Sequence, residues 1–423
     1  MLQISFIREN KELVIERLAI KNFNAASLVN EVIVLDEQRR QVQKTLDDTL
    51  AQSNKLAKEI GQLFKTGQRD LAEKAREQST IIKQQGKELD QKLNDLVKQL
   101  SGKLVELPNI PHESVPAGKS EADNELLYEE GSIPELIKNA LPHWELASKY
   151  EIIDFDLGSK VTGAGFPFYR GKGARLQRAL INFFLDKAVE AGYTEYQPPL
   201  LINEDSGYGT GQLPDKEGQM YEIGEDKLFL IPTAEVPLTN IYRNVILKEK
   251  ELPIKNVAYS NCFRREAGSY GKDVRGLNRL HQFDKIEIVQ VAHPEKSYET
   301  LEVMKDYVAG LLRELELPFR ILRLCGGDLS FTAALTFDFE VYSAAQKRWL
   351  EVSSVSNFEN FQSTRMKLRY RDANGKTQLA HTLNGSALAL PRIVAALLEN
   401  NQTEDKINIP KALQDYTGFN SID

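Results

Sequence analysis

From Leu28 to Leu100 the chain carries a recurrence that leaves little choice of local structure. Leu28, Val32, Leu35, Arg39, Val42, Leu46, Thr49, Ser53, Leu56, Ile60 and Leu63 follow one another at alternating steps of four and three. That is the spacing of a helical seam, made polar here by Arg39, Thr49 and Ser53. Phe64 to Asp70 interrupts it, with Gly67 as the expected turn, and it resumes through Leu71, Ala75, Gln78, Ile82, Gln85, Leu89, Leu93, Leu96 and Leu100. Two helices joined by so short a connection run antiparallel. With arms of roughly 35 residues and 1.5 Å per residue, the hairpin is about 50 Å long. Periodicity alone favours a dimerisation coiled coil, but so polar a seam suits a broad oligomer interface poorly. Acids nearly match bases along the arms, so charge by itself does not argue for RNA.

The whole chain has 423 residues and a net charge of -7, which suits two or three domains and a large core and excludes a general nucleic-acid binder. Its two cysteines, Cys262 and Cys325, have no Cys-x-x-Cys spacing. A disulfide framework and a cysteine-rich zinc site are therefore not expected, and a reducing, cytoplasmic compartment is. No apolar run approaches a membrane span, and Met1 to Asn10 lacks the character of a signal peptide. The proline-rich stretch Pro108 to Gly118 divides an N-terminal domain, residues 1–110, from a second domain, residues 111–423. Amphipathic helices are expected over Ala174–Ala191 and Ser297–Leu315, and strands over Val257–Arg264, Arg279–Val291 and Thr336–Tyr342. The fold class is α+β: an antiparallel helical hairpin, then an antiparallel sheet flanked by helices.

Phosphate loops of the Gly-x-x-x-x-Gly-Lys and Gly-x-Gly-x-x-Gly kinds are absent. Gly207-Tyr208-Gly209-Thr210-Gly211 reads as a mobile loop. The five histidines, at 112, 143, 281, 293 and 381, show no ligand spacing and read as structural. Chemistry is left to charged side chains on a sheet. Cys262-Phe263-Arg264-Arg265-Glu266 and His281-Gln282-Phe283-Asp284-Lys285-Ile286-Glu287 suit two neighbouring strands, with Arg264 and Glu266 on one face and Phe283 and Glu287 on one face. Such a floor can hold a phosphate, stack a base and receive an ammonium group. Taken singly, Arg264 and Glu266 could be a same-face ion pair, Phe283 a core residue, and Glu351 and Arg392 solvated.

The segment Phe263 to Glu266, a glycine-containing loop to Arg275-Gly276-Leu277, and the strand through Phe283 resemble motif 2 of the class II aminoacyl-tRNA synthetases. His381 to Arg392 resembles motif 3, and Gly192-Tyr193 through Pro198-Pro199-Leu200 resembles motif 1. Thr233-Ala234-Glu235 and Glu351-Val352-Ser353-Ser354-Val355-Ser356-Asn357 point, with the hairpin, to the seryl-tRNA synthetase family. The resemblance covers essentially the whole chain. It implies ATP-dependent activation of L-serine to seryl-adenylate and transfer to the 3′ end of a serine tRNA, with selenocysteine tRNA as a further acceptor.

By that resemblance, Arg264, Glu266 and Arg392 are catalytic. ATP is bound by Arg264, Arg265, Glu266, Phe283, Glu351, Val352, Ser353, Ser354 and Arg392, and serine by Thr233, Ala234, Glu235, Arg264, Glu287 and Ser386. Mg²⁺ falls to Glu351 and Ser354. Strand parity pairs Glu351 with Ser353 instead, so a shared ion requires a bulge or strand end there. Glu287 is the candidate for the serine hydroxyl and Glu235 for an amine or hydroxyl contact; Thr233 equally suits a helix N-cap. The resemblance also implies a homodimer through the motif 1 helix and strand, a hairpin that meets the tRNA, and no membrane or DNA partner. Three departures stand out: Ala387 and Pro391 where glycines are common, Leu335 where a lysine is frequent, and no arginine before the aromatics of Gly163 to Phe168. The rival readings are an amino acid:carrier-protein ligase and an inactive RNA-binding scaffold on the same fold.

Overall fold

A computed structural model describes residues 1–266 and 275–423, so the glycine-containing loop expected at 267–274 lies outside the described residues. The chain divides into two units, Met1–Ala19 with Phe23–Pro108 and Ile20–Asn22 with Asn109–Asp423.

In the first unit the two seams become helices α1 (Ala26–Lys65) and α2 (Arg69–Leu104), packed side by side. Gly67 turns the chain between them at φ +76°, a conformation that costs glycine nothing. The inward face of α2 differs from the expected one. Leu71, Gln78 and Gln85 are exposed, and Ala72, Ala75, Ser79, Ile82 and Gly86 are buried instead. Three positions of the seam shift by one residue, from Leu71, Gln78 and Gln85 to Ala72, Ser79 and Gly86, while Ala75 and Ile82 stay on it. On α1 the buried Asp36 carboxylate accepts from Arg8 and Arg39, each at 2.7 Å. The polar seam at Arg39 thus satisfies a buried charge.

The second unit is built on strands β1 (Glu125–Glu130), β2 (Thr194–Tyr196), β3 (Ile254–Phe263), β4 (Gln282–Ala292), β5 (Phe319–Arg323), β6 (Leu335–Ser343), β7 (Arg348–Asn357) and β8 (His381–Ala389). Their order across the sheet is β1-β5-β6-β7-β8-β4-β3-β2. All neighbours are antiparallel except β2, which lies parallel to β3 at the edge.

Alternation along the strands separates two faces. Phe337, Phe339, Val352, Val355, Leu383, Ile286, Ile288 and Val257 enter the core. There they meet helices α3 (Gly171–Glu190), α6 (Ser297–Glu314) and α8 (Leu390–Asn400). Helix α3 buries Leu176, Leu180, Phe183 and Phe184, each worth about 1.5–3 kcal/mol of transfer free energy. Leu335 shares the inward parity of Phe337 and is buried with it, so this departure serves packing.

The opposite face is polar. It is partly covered by two short helices, α5 (Glu235–Asn240) and α7 (Phe361–Met366), and a third, α4 (Glu204–Thr210), packs on both. Helix α4 corrects the expected mobile loop at Gly207–Gly211. Its glycines are buried for packing: a Cβ on Gly207 would come within 2.8 Å of Leu213, and one on Gly209 within 2.8 Å of Met366. Gly211 then closes the helix at φ +96°.

Candidate active site

Register decides which side chains share the polar face. On β4, Phe283, Lys285 and Glu287 alternate outward opposite Cys262, Ser260 and Ala258 of β3. Glu287 lies opposite Ser386 of β8, and Asn384 of β8 lies opposite Ser356 of β7. On β6, Asp338 faces Ser354 and Glu340 faces Glu351. A row of polar side chains therefore crosses the sheet from Glu340 to Cys262.

Between Glu351 and Ser353 the register of β7 slips: Phe339 pairs with Ser353 but Glu340 with Glu351. This bulge at Val352 brings Glu351 and Ser354 into phase. It also sends the Val352 side chain into the core, 1% exposed, leaving only its backbone for a ligand. The buried Ser353 hydroxyl donates to the Ser386 carbonyl at 2.5 Å. Asp338 is held well above the usual carboxylate range by burial and by the charge of Glu351, partly offset by a hydrogen bond from Ser354. Its Oδ1 is buried without a hydrogen-bond partner.

Arg264 and Glu266 do not share a strand face. β3 ends at Phe263, Glu266 takes a left-handed backbone at φ +47°, and its carboxylate pairs with Arg279 at 2.7 Å. A strand loses its parity once its ladder ends, so the i,i+2 argument stops at Phe263. The Arg264 guanidinium instead lies 5.3 Å from the Phe283 ring centroid, and its backbone N–H donates to the His281 carbonyl at 2.9 Å. Arg265 lies over Tyr221 at 5.7 Å. Arg392 sits in the first turn of α8, just after Pro391, where a missing N–H costs nothing. Its guanidinium donates to the carbonyls of Glu351 at 2.6 Å and Asn278 at 3.0 Å.

Two carboxylates form a deeper pocket. The Asn384 amide donates to Glu235 at 2.8 Å and to Glu287 at 2.9 Å, bridging them. Lys285 Nζ lies 2.6 Å from Glu287 and donates to Thr233 Oγ1 at 2.8 Å. Thr233 Oγ1 also accepts from the Glu235 N–H at 3.2 Å, so the cap-like role and the pocket role coincide. Gln362 of α7 donates to Glu235 at 2.6 Å, its own carbonyl held by the Thr382 hydroxyl at 2.7 Å. Ser386 Oγ is 3.4 Å from Glu287. Burial, and then the charge of Glu287, push the Glu235 carboxyl up to about 7, against the Gln362 hydrogen bond and the charges of Lys285 and Arg264. Ala234 packs with Leu238, Ala258 and Val289, so its side chain offers a ligand nothing.

Four residues of this face were not singled out in the sequence. Lys285 was legible, since it lies between Phe283 and Glu287 on one strand face. Asn384 was legible two residues before Ser386. Asp338 and Gln362 gave no signal, because cross-strand register and helix docking bring them in. Among the described residues no three His, Cys, Asp or Glu side chains gather into a metal-binding group.

Comparison with known proteins covers the whole chain. Residues 1–111 match the family profile "Seryl-tRNA synthetase N-terminal domain", and residues 220–401 match "tRNA synthetase class II core domain (G, H, P, S and T)". The chain is 50% identical to a serine–tRNA ligase of Salinibacter ruber, over 100% of this chain and 99% of that protein. It is 45% identical to one of Chlorobaculum parvum, over 100% of both. Among solved structures, the seryl-tRNA synthetase of Pyrococcus horikoshii complexed with ATP superposes with a TM-score of 0.93 at 36% identity, covering 100% of this chain and 99% of that one.

Proposed function

The chain belongs to the seryl-tRNA synthetase family, and we propose that its polar sheet face joins L-serine to ATP and passes the seryl group to tRNA. It is an aminoacyl-tRNA ligase. A serine carboxylate oxygen bonds to the α-phosphorus while the bond to the β-phosphate oxygen breaks and pyrophosphate leaves. The 3′ hydroxyl of the tRNA then attacks the seryl carbonyl carbon, and AMP departs. Such a reaction asks a protein for positioning and charge neutralisation.

In this reading Phe283 stacks the adenine, and Arg264, already against that ring, clamps the α-phosphate with its planar fork. Arg392 reaches the γ-phosphate or the adenine's other face; Glu266 and Arg265 frame the nucleotide from beyond the strand end. Glu235 takes the serine ammonium, and Glu287, with Ser386, takes the hydroxyl. Alanine would leave that buried acceptor without its donor and is rejected on that ground. The observation that carries the reading is the pair of buried carboxylates bridged by Asn384, on the same face as Arg264 and Phe283.

The residues fit Mg²⁺. Glu351, Ser354 and the orphaned Asp338 oxygen form a hard-oxygen set, and Glu351 and Ser354 would hold the ion, which supplies neutralisation of phosphate charge. Homodimerisation through α3 and β2 is supported by the exposed Val189 of α3 and Tyr196 of β2. A cytoplasmic location is supported by two unpaired cysteines. No described helix is long and apolar enough to cross a membrane. The hairpin α1–α2 is the element for the tRNA.

Serine-dependent ATP–pyrophosphate exchange, paired with tRNA charging, tests this function. Both are expected with serine and not with alanine. Exchange without charging would favour the carrier-protein ligase, and no exchange with any amino acid the inactive scaffold.

A further inference from the structure

We propose that His143 and Glu399, which lie outside the site described above, form a positioning pair for Arg392. Glu399 is in the last turn of α8, the helix whose first turn carries Arg392. Both His143 and Glu399 side chains are 0% exposed. The carboxylate accepts from the His143 backbone N–H at 2.9 Å, from His143 Nδ1 at 2.7 Å, from Gln346 at 3.0 Å and from the Ser343 hydroxyl. With Nδ1 committed as a donor, Nε2 is left as an acceptor, and it takes the Leu277 N–H at 2.8 Å. One tautomer is thereby selected.

The peptide that donates this bond belongs to no strand or helix. Side chains must place it. Gly276 lies against the imidazole so closely that a Cβ would come within 2.3 Å of Nε2, and its φ is +66°. Next to Leu277, Asn278 donates its side-chain amide to Gln346 at 3.0 Å, while its carbonyl accepts from Arg392 Nε at 3.0 Å. Of the two carbonyls that aim the Arg392 guanidinium, those of Glu351 and Asn278, the second is thus held in place by His143 and Gln346.

The inference rests on the reading of Arg392 as an ATP contact, and the experiment separates the two. His143→Asn keeps a donor for Glu399 but falls short of Leu277, whereas His143→Gln carries an amide oxygen out to the Nε2 position. In pyrophosphate exchange, losing one such bond is expected to raise the ATP KM of His143→Asn about fivefold to tenfold, with the serine KM within about twofold. His143→Gln recovers most of the loss, and in an Arg392→Lys background His143→Asn adds less than about twofold. Equal losses of Tm in both histidine variants with an unchanged ATP KM overturn the proposal, as does an equal rise in both KM values. If Arg392→Lys raises the ATP KM and His143→Asn does not, this proposal alone fails. If Arg392→Lys leaves it unchanged, the Arg392 reading fails and takes this one with it. Should the histidine variants not fold, Gln346→Ala removes the second tie on Asn278, and an unchanged ATP KM there is equally fatal.

Discussion

Serine binding should weaken sharply below neutral pH, and Glu235 is the reason. Its carboxyl, buried and facing Glu287, is pushed up to about 7. Only its ionised form can pair with an α-ammonium. The kcat/KM for serine should therefore follow the ionised fraction, about nine-tenths at pH 8, half at pH 7 and a tenth at pH 6, a fall of about tenfold across the range. Glu235→Gln removes the titrating group. It also places an amide between two donors, Gln362 and Asn384. Neither can turn away easily, because Thr382 holds the Gln362 carbonyl and Asn384 spends its other N–H on Glu287. The variant is expected to be weaker by at least about tenfold at pH 8 and flat with pH. The assay is pyrophosphate exchange at saturating ATP and excess magnesium from pH 5.5 to 8.5. A flat profile in the parent protein, or the same slope in Glu235→Gln, would refute the assignment. The same shift has a stability sign. A carboxyl raised from 4.5 to about 7 on folding stabilises the fold fully below 4.5. That contribution, about 3 kcal/mol, is lost as pH rises through 7.

Two further outcomes follow from the geometry. Arg264→Ala should lower adenylate formation by about a hundredfold or more while leaving Tm nearly unchanged, because the half-buried guanidinium touches the Phe283 ring and is not in the core; near-normal exchange would discredit its phosphate role. Removing residues 50–86 and rejoining the arms spares the base of the hairpin around Asp36, Val42, Leu96 and Leu100. It should leave exchange within about twofold and cut tRNA charging at least tenfold, and equal loss of both would make the outer arms structural.

Much of the molecule was readable from local pattern. Steps of three and four around Gly67 dictate two antiparallel helices, and alternation through Phe283, Lys285 and Glu287 dictates one strand face, because helix and strand each repeat with a fixed period. Two readings that went wrong lie outside any clear period. Glu266 left the expected face because β3 ended three residues earlier, and Gly207–Gly211 became a buried helix because Leu213 and Met366 close over it. The inward side of α2 runs through Ala72, Ser79 and Gly86, small or polar residues that no hydrophobic count rewards.

Order along the chain thus determined the hairpin, the strands, and which residues carry a charge or a ring. Tertiary structure alone decided that Glu351 and Ser354 share a face, that Asn384 ties Glu235 to Glu287, and that Gln362 and Asp338 belong with them. The physical reason is that register, bulges and helix docking come from packing between separate segments, from the neighbouring strands β6 and β7 to Gln362 and Glu235, 127 residues apart, and periodicity within one segment carries no record of its partner.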